Sequence, residues 1–305
     1  MGAISQFVQL QEKAECIFSI VDLHAITVPY NPQELSKNIF DAAVCYLASG
    51  IDPEKSILFV QSWIKEHTEL AWLLSTVTPT GDLLRMTQYK EKSKQLRDAK
   101  AGLLNYPILM ASDILLYKAE AVPVGQDQKQ HLELTRTVAK AFNSRFGETF
   151  PVPRVILRES GDKIMALNNP KKKMSKTAPS GCLYLFEEPE AIKKKVMASV
   201  TDSGKKVKYD LEKKPGISNL LTIYSLFSGK PIKELEKKFK NSNYSSFKKS
   251  LAEQLIVSLE PFRRKKKELL TREVYVREVL RQGAKRAKVI AASTMAEVRQ
   301  KMGLA

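Results

Sequence analysis

The stretch from Tyr106 to His131, YPILMASDILLYKAEAVPVGQDQKQH, constrains this chain more than any other 26 residues in it. Its first half, residues 106–117, is apolar apart from Ser112 and Asp113, and Tyr106, Met110, Asp113 and Tyr117 recur at helical spacing. That pattern predicts a buried helix with one carboxylate on its inner face. Burying such a charge unpaired costs several kcal/mol, so either a protein donor or a ligand N–H must satisfy Asp113. Residues 121–125, AVPVG, read as a short buried strand, and Gly125, Gln126, Asp127 and Gln128 form a turn into a helix that continues through His131 to about Phe146. A strand, a glycine turn and a helix N-terminus present unpaired backbone N–H groups to an anion, although a lone glycine before a helix also serves as a simple cap.

The segments before this stretch alternate. CIFSIVDLHAIT at 16–27 opens with a β-rich run and ends on Asp22, Leu23 and His24, where a strand's carboxyl end would open into a loop. In open α/β sheets ligands sit at that edge, and His24 is either a ligand-facing or a satisfied structural histidine. Asn31 and Pro32 supply an N-cap and a first-turn proline for a helix to about Ser49, closed by Gly50. SILFVQS at 56–62 reads as a second buried strand and 67–77 as a helix, which together predict an α/β fold built on a parallel sheet. Residues 85–100 form a charged helix or loop carrying Lys90 and Lys92.

After the central stretch, 151–180 reads as a loop region that contains Ile164 and the basic run KKKMSKTAPSG. A basic, serine-bearing loop of this kind can fold over a polyphosphate and meet charge as it develops on a leaving group. No GxxxxGK is present, which excludes an ordinary P-loop. From about 185 onward the pattern is helical, with amphipathic segments at 188–200, 216–228, 231–240, 244–260 and 261–302.

Charge divides the chain. Residues 1–170 hold 18 Lys+Arg against 19 Asp+Glu, and residues 171–305 hold 32 against 14, so the whole excess behind the net +17 lies in the last 135 residues. That asymmetry suits a neutral catalytic half joined to a half that meets a polyanion, most simply nucleic acid, or else a lysine-rich solvated helical surface. The three cysteines, Cys16, Cys45 and Cys182, are scattered, which argues against a disulfide framework or a zinc site and suits a reducing compartment. No run is long enough to span a bilayer, and the start MGAISQFVQLQEKAE is neither a signal nor an Arg-rich transit peptide, so the expected location is the cytoplasm.

KMSKT at 173–177 resembles the KMSKS signature of class I aminoacyl-tRNA synthetases, and the chain as a whole resembles their bacterial tryptophanyl-type family. The matching segments, in order, are VDLHAIT, EHTELAWLL, GDLLRMTQYKEKS, GLLNYPILMASDILLY, VPVGQDQKQHLELTR, KKKMSK, and VTDS through KPGISNLLTIYS. The resemblance implies a Rossmann-like catalytic domain at 1–180, an all-helical anticodon-binding domain at 181–268 and a C-terminal helix at 269–305 that packs back on the catalytic domain. It implies ligation of L-tryptophan to its tRNA through ATP and Mg²⁺, in a homodimer. Asp113 matches the acceptor of the indole N–H, with Tyr106, Met110, Ile114, Val122, Val124, Gln128 and His24 around the ring and amino group. Gly125, Gln126, Asp127, Ile164 and Lys92 match nucleotide contacts, and Lys173, Met174, Ser175, Lys176 and Thr177 the mobile loop on the phosphates. A tyrosine enzyme is a lesser rival, opposed by Met110 and the tryptophan-type segments.

The chain departs from the family pattern in three places. Gln126 stands where the family has Glu, and Thr177 and Ala178 where it has Ser and Asp. The family also begins with a strand, a QP(S/T)G turn and an HxGN signature before a YLGA segment, and Met1, Gly2 and Ala3 already occupy that last position. The expectation is a fragment of a longer gene product; the alternative is a catalytically deficient relative that binds tRNA or dimerises.

Overall fold

In the computed structural model of the chain, the apolar run Ser56–Val60 is a strand buried at every residue. A parallel strand covered on both faces has no polar side to show, hence the unbroken SILFV in place of an alternating pattern. The structure describes residues 3–95, 98–157, 164–175 and 178–304, in two compact units: Met1–Arg158 with Leu269–Ala305, and Glu159–Glu268.

The first unit opens with helix α1 (Ala3–Leu10), strand β1 (Cys16–Ile20) and a single helical turn, α2 (Asp22–Ala25), followed by α3 (Pro32–Ala48) and β2 (Ser56–Val60). It continues through α4 (Glu66–Ser75), α5 (Thr80–Leu84), α6 (Thr87–Gln95), α7 (Ala101–Leu115), β3 (Ala121–Val124), α8 (Lys129–Phe146) and β4 (Arg154–Leu157). β1 and β2 pair in parallel from Cys16 opposite Ser56 to Ile20 opposite Val60, and β3 pairs in parallel with β4. Parallel neighbours need a crossover of a dozen or more residues, and α3 and α8 supply these. The start of α3 is as expected: the Asn31 side chain accepts from the Gln33 N–H at 3.0 Å, and Pro32 follows it. The region 151–180 is not the continuous loop that its composition suggests, because Arg154–Leu157 forms β4. Four residues following Pro151 and Pro153 are too short to show a periodicity.

The second unit begins with a hairpin of β5 (Met165–Ala166) and β6 (Asn169–Lys173), followed by helices α9 (Pro189–Met197), α10 (Pro215–Ser228), α11 (Ile232–Lys238) and α12 (Tyr244–Leu270). Its core is apolar, with Ile192, Ile217, Leu221, Leu235, Phe247, Leu251 and Leu255 fully buried. Tyr224, Phe239 and Phe247 meet there with ring centroids 5.1–6.1 Å apart. A helix start was expected at Pro261, yet α12 runs through it and ends at Leu270. Pro261 removes one ladder bond but leaves the apolar face intact, and buried Arg263 donates from its guanidinium to the Ile256 carbonyl at 2.7 Å.

The last helix, α13 (Glu273–Met302), belongs to the first unit. Gly283 permits its approach to β2, since a Cβ there would stand 1.9 Å from the Leu58 carbonyl oxygen. Ala287, Ala291, Met295 and Val298 then join Ile57, Phe59, Leu70, Leu74 and Phe142 in one core. Arg286 donates to the carbonyls of Pro53 and Ser56 at the entrance of β2, and Arg299 forms a forked ion pair with Glu69.

Candidate active site

α7 carries the expected face. Tyr106 and Ile114 are buried on it, and Met110 and Asp113 are partly buried, with 13% of the Asp113 side chain exposed. Three elements converge on the Asp113 carboxylate. His24, in the turn after β1, reaches Oδ2 through Nε2 at 2.8 Å; Gln61, just past β2, donates from Nε2 to Oδ1 at 2.7 Å; His67, on α4, meets Oδ1 through Nδ1 at 2.6 Å. Residue types left open whether a protein donor or a ligand satisfies this carboxylate and the family resemblance implied the ligand, whereas the structure supplies protein donors. Acceptor capacity still remains, because a carboxylate offers about four lone-pair directions and Oδ2 uses one.

The donors are themselves oriented. Gln61 accepts on Oε1 from the Leu23 N–H at 3.2 Å, which fixes the direction of its amide. His67 has no exposed side-chain surface, and its Nε2 lies 2.8 Å from the Tyr117 hydroxyl. A carboxylate only accepts, so His67 Nδ1 carries a hydrogen, and in the neutral ring Nε2 is then the acceptor and Tyr117 the donor. Burial, followed by the charges of Asp113 and Glu66, pushes the Tyr117 phenol well above its ordinary range, so it keeps its proton. Burial also pushes the Asp113 carboxyl upward, but the hydrogen bonds from His24 and His67 outweigh it and leave Asp113 below the usual carboxylate range.

A second constellation surrounds Tyr106. Its hydroxyl donates to Gln88 Oε1 at 3.2 Å and lies 2.8 Å from His131 Nε2, which therefore carries the hydrogen. His131 Nδ1 is left as a buried lone pair with no hydrogen-bond partner. Burial and then the charge of Lys92 push the His131 imidazole down to about 4, and burial pushes the Tyr106 phenol up to about 12. Lys92 stands 5.1 Å from the centroid of the Tyr106 ring.

Val122 and Val124 lie partly buried on β3, and Gly125 leads into a 3₁₀ turn, Gln126–Gln128, before α8. A side chain at 125 would meet Asp127 Oδ1 at 2.7 Å. Gln128 donates to Asp127 Oδ2, and Gln88 donates to the Asp127 carbonyl, tying α6 to this turn.

In the second unit Lys173 ends β6 opposite Met165, and the Met174 N–H donates to the Ile164 carbonyl at 3.0 Å. Met174 and Ile164 pack on the helical core. Ser175 follows, and Lys176 and Thr177 lie outside the described residues. Buried Asn219 on α10 accepts on Oδ1 from the Met165 N–H at 2.8 Å and donates from Nδ2 to the Met165 carbonyl at 2.9 Å.

Sequence reasoning missed Gln61, His67, Gln88, His131 and Asn219. One signal was available: the chain has only three histidines, and two of them meet Asp113 while the third meets Tyr106.

Residues 1–260 match the family described as tRNA synthetases class I (W and Y). Over 306 aligned residues the chain is 52% identical to a tryptophan–tRNA ligase of Caldanaerobacter subterraneus subsp. tengcongensis, covering 100% of this chain and 93% of that one. It is 47% identical to a tryptophan–tRNA ligase of Bacillus subtilis, covering 100% and 92%. The crystal structure of tryptophanyl-tRNA synthetase from Campylobacter jejuni, complexed with ADP and tryptophan, superposes with a TM-score of 0.89 at 36% identity, covering 99% of this chain and 94% of that one.

Proposed function

From the premise that this chain belongs to the class I tRNA synthetases (W and Y) and is an aminoacyl-tRNA synthetase, we propose that it is a tryptophan–tRNA ligase. The observation that carries this reading is the Asp113 carboxylate: it is held ionised by His24, Gln61 and His67, still open to a donor at Oδ2, on the helix that bears Tyr106 and Met110. An indole N–H fits that acceptor and a phenylalanine ring leaves it unsatisfied. A site built to accept a substrate N–H rejects analogues lacking one far better than apolar shape does. Met110, Ile114, Val122 and Val124 form the apolar wall, with Met110 offering a polarisable sulfur to the ring. Gln128 and His24 serve the amino group.

In the first step a tryptophan carboxylate oxygen attacks the α-phosphorus of ATP in line. The new bond joins that oxygen to phosphorus, and the bond to the bridging oxygen of pyrophosphate breaks. No protein nucleophile takes part, so the protein supplies position and charge. Gly125, Gln126, Asp127, Lys92 and Ile164 serve the nucleotide; Lys173, Met174, Ser175, Lys176 and Thr177 serve the departing pyrophosphate. In the second step a ribose hydroxyl at the 3′ end of the tRNA attacks the carbonyl carbon of the adenylate, and AMP leaves. Among the described residues no group of three or more His, Cys, Asp or Glu is placed to hold a metal. Mg²⁺ would arrive with the nucleotide phosphates, the common way this ion is held in phosphoryl-transfer sites.

The lysine-rich helices of the second unit suit the anticodon loop, whose single-stranded bases are read by stacking and edge contacts. Trp63 and Trp72, 45% and 73% exposed, support a homodimer that covers them. No helix among the described residues is long and apolar enough to cross a membrane, and work on tRNA suits a cytoplasmic location.

The test is amino-acid-dependent ATP–pyrophosphate exchange, followed by charging of the tRNA for tryptophan. Exchange with tryptophan and not with tyrosine is expected; exchange with tyrosine alone, or with neither, overturns the reading.

A further inference from the structure

We propose that His67, with Tyr117 behind it, is a positioning residue that sets the selectivity of the site for a ring N–H. This inference rests on the tryptophan reading and deepens it. His67 itself has no exposed side-chain surface, so it acts on the substrate only through Asp113.

The donors run in one direction. The Tyr117 hydroxyl donates to His67 Nε2 at 2.8 Å, and His67 Nδ1–H donates to Asp113 Oδ1 at 2.6 Å. Gln61 donates to the same oxygen at 2.7 Å, which fills Oδ1 and locks the carboxylate against rotation about its last bond. His24 takes one position on Oδ2, and what remains on that oxygen is an acceptor. A ligand group arriving there must bring a hydrogen. Reversing any link leaves two donors or two acceptors facing each other in a buried place, so the polarity set by Tyr117 is transmitted to the open end of Asp113.

The geometry around His67 prevents it from turning away. Phe59 stacks on the imidazole with centroids 5.9 Å apart and planes 29° apart. The hydroxyl of Ser112, the residue before Asp113, donates to the His67 carbonyl at 2.7 Å, so α4 and α7 are tied beside the carboxylate they share. Both ring nitrogens of the imidazole are paired, one to Asp113 and one to Tyr117, so the ring has no second orientation that keeps its hydrogen bonds.

The test compares tryptophan with its benzothiophene analogue, in which sulfur replaces the ring N–H, by kcat/KM in ATP–pyrophosphate exchange on the full chain. The parent is expected to prefer tryptophan strongly. His67→Phe keeps a ring and removes both nitrogens; its preference is expected to fall by roughly tenfold, through loss of rate with tryptophan and little loss with the analogue. His67→Asn places an amide N–H near the position of Nδ1 and is expected to keep the preference within about threefold of the parent. Should His67→Phe fail to fold, Tyr117→Phe removes only the hydroxyl and is expected to lower the preference about threefold. An equal loss with both amino acids in His67→Phe, or an unchanged preference in Tyr117→Phe, overturns the positioning role. A parent that activates tryptophan and the analogue equally, or neither, overturns the tryptophan reading itself, and this inference falls with it.

Discussion

The Asn219 amide pairs with both main-chain groups of Met165, at 2.8 Å and 2.9 Å, as a neighbouring strand would. A side chain on a buried helix thus does the work of a ladder partner for the hairpin that leads into Lys173, Met174 and Ser175. Asn219→Ala leaves a part-buried N–H and C=O without this partner, at a cost of about 2 kcal/mol. We expect a lower urea midpoint and slower pyrophosphate exchange with the KM for tryptophan within about twofold of the parent. An unchanged exchange rate would separate the clamp from the loop's chemistry.

Asp113→Asn removes the charge and turns one acceptor into an N–H facing either His67 and Gln61 or the open end. The expected outcome is a loss of about 100-fold in kcat/KM for tryptophan, with the KM for ATP nearly unmoved. Steady-state exchange with each substrate varied in turn checks it, and a loss confined to ATP would displace Asp113 from the amino-acid site.

His131 is neutral in the folded protein, its pKa pushed down to about 4 from an ordinary 6.5. Between those values the unfolded chain binds a proton that the native state refuses, so stability falls as the pH drops from 6.5 to 4 and is level on either side. The loss is roughly 3 kcal/mol at most. Asp113 contributes with its own sign: its carboxyl is depressed on folding, so its contribution is present above the ordinary carboxylate range and disappears only below about pH 4. His131→Gln is therefore expected to flatten the urea midpoint between pH 6.5 and 4. A parallel decline in parent and variant would place the acid sensitivity elsewhere.

Gly283→Ala puts a Cβ where the Leu58 carbonyl stands, and neither backbone has a free end to swing away. A destabilisation of about 3 kcal/mol is expected, seen as a fall in Tm. A variant as stable as the parent would mean that α13 does not lie against β2 in solution.

Lys176→Ala is expected to slow adenylate formation by about 100-fold while tryptophan affinity, measured by equilibrium binding, stays within about twofold. A matching loss of affinity would assign the lysine to binding and not to the leaving group.

What the chain's own pattern determined is local or cumulative. SILFV had to be a covered strand because it has no polar side, Asn31–Pro32 had to start a helix, and the split of charge was a matter of counting. The face of α7 followed from a 3.6-residue repeat and was legible for the same reason. β4 and the β5–β6 hairpin were too short to leave a period, and Pro261 signalled a break that packing along α12 overrode. What answers Asp113 was decided by the tertiary structure alone. His24, Gln61 and His67 lie 89, 52 and 46 residues away in sequence, and no local rule connects residues that meet only when separate loops and helix ends close on one carboxylate. The sequence showed that the charge needed partners, because burial of a lone carboxylate is costly everywhere. Which groups those are, and which oxygen they leave open, depends on distances of under 3 Å that exist only in the folded chain.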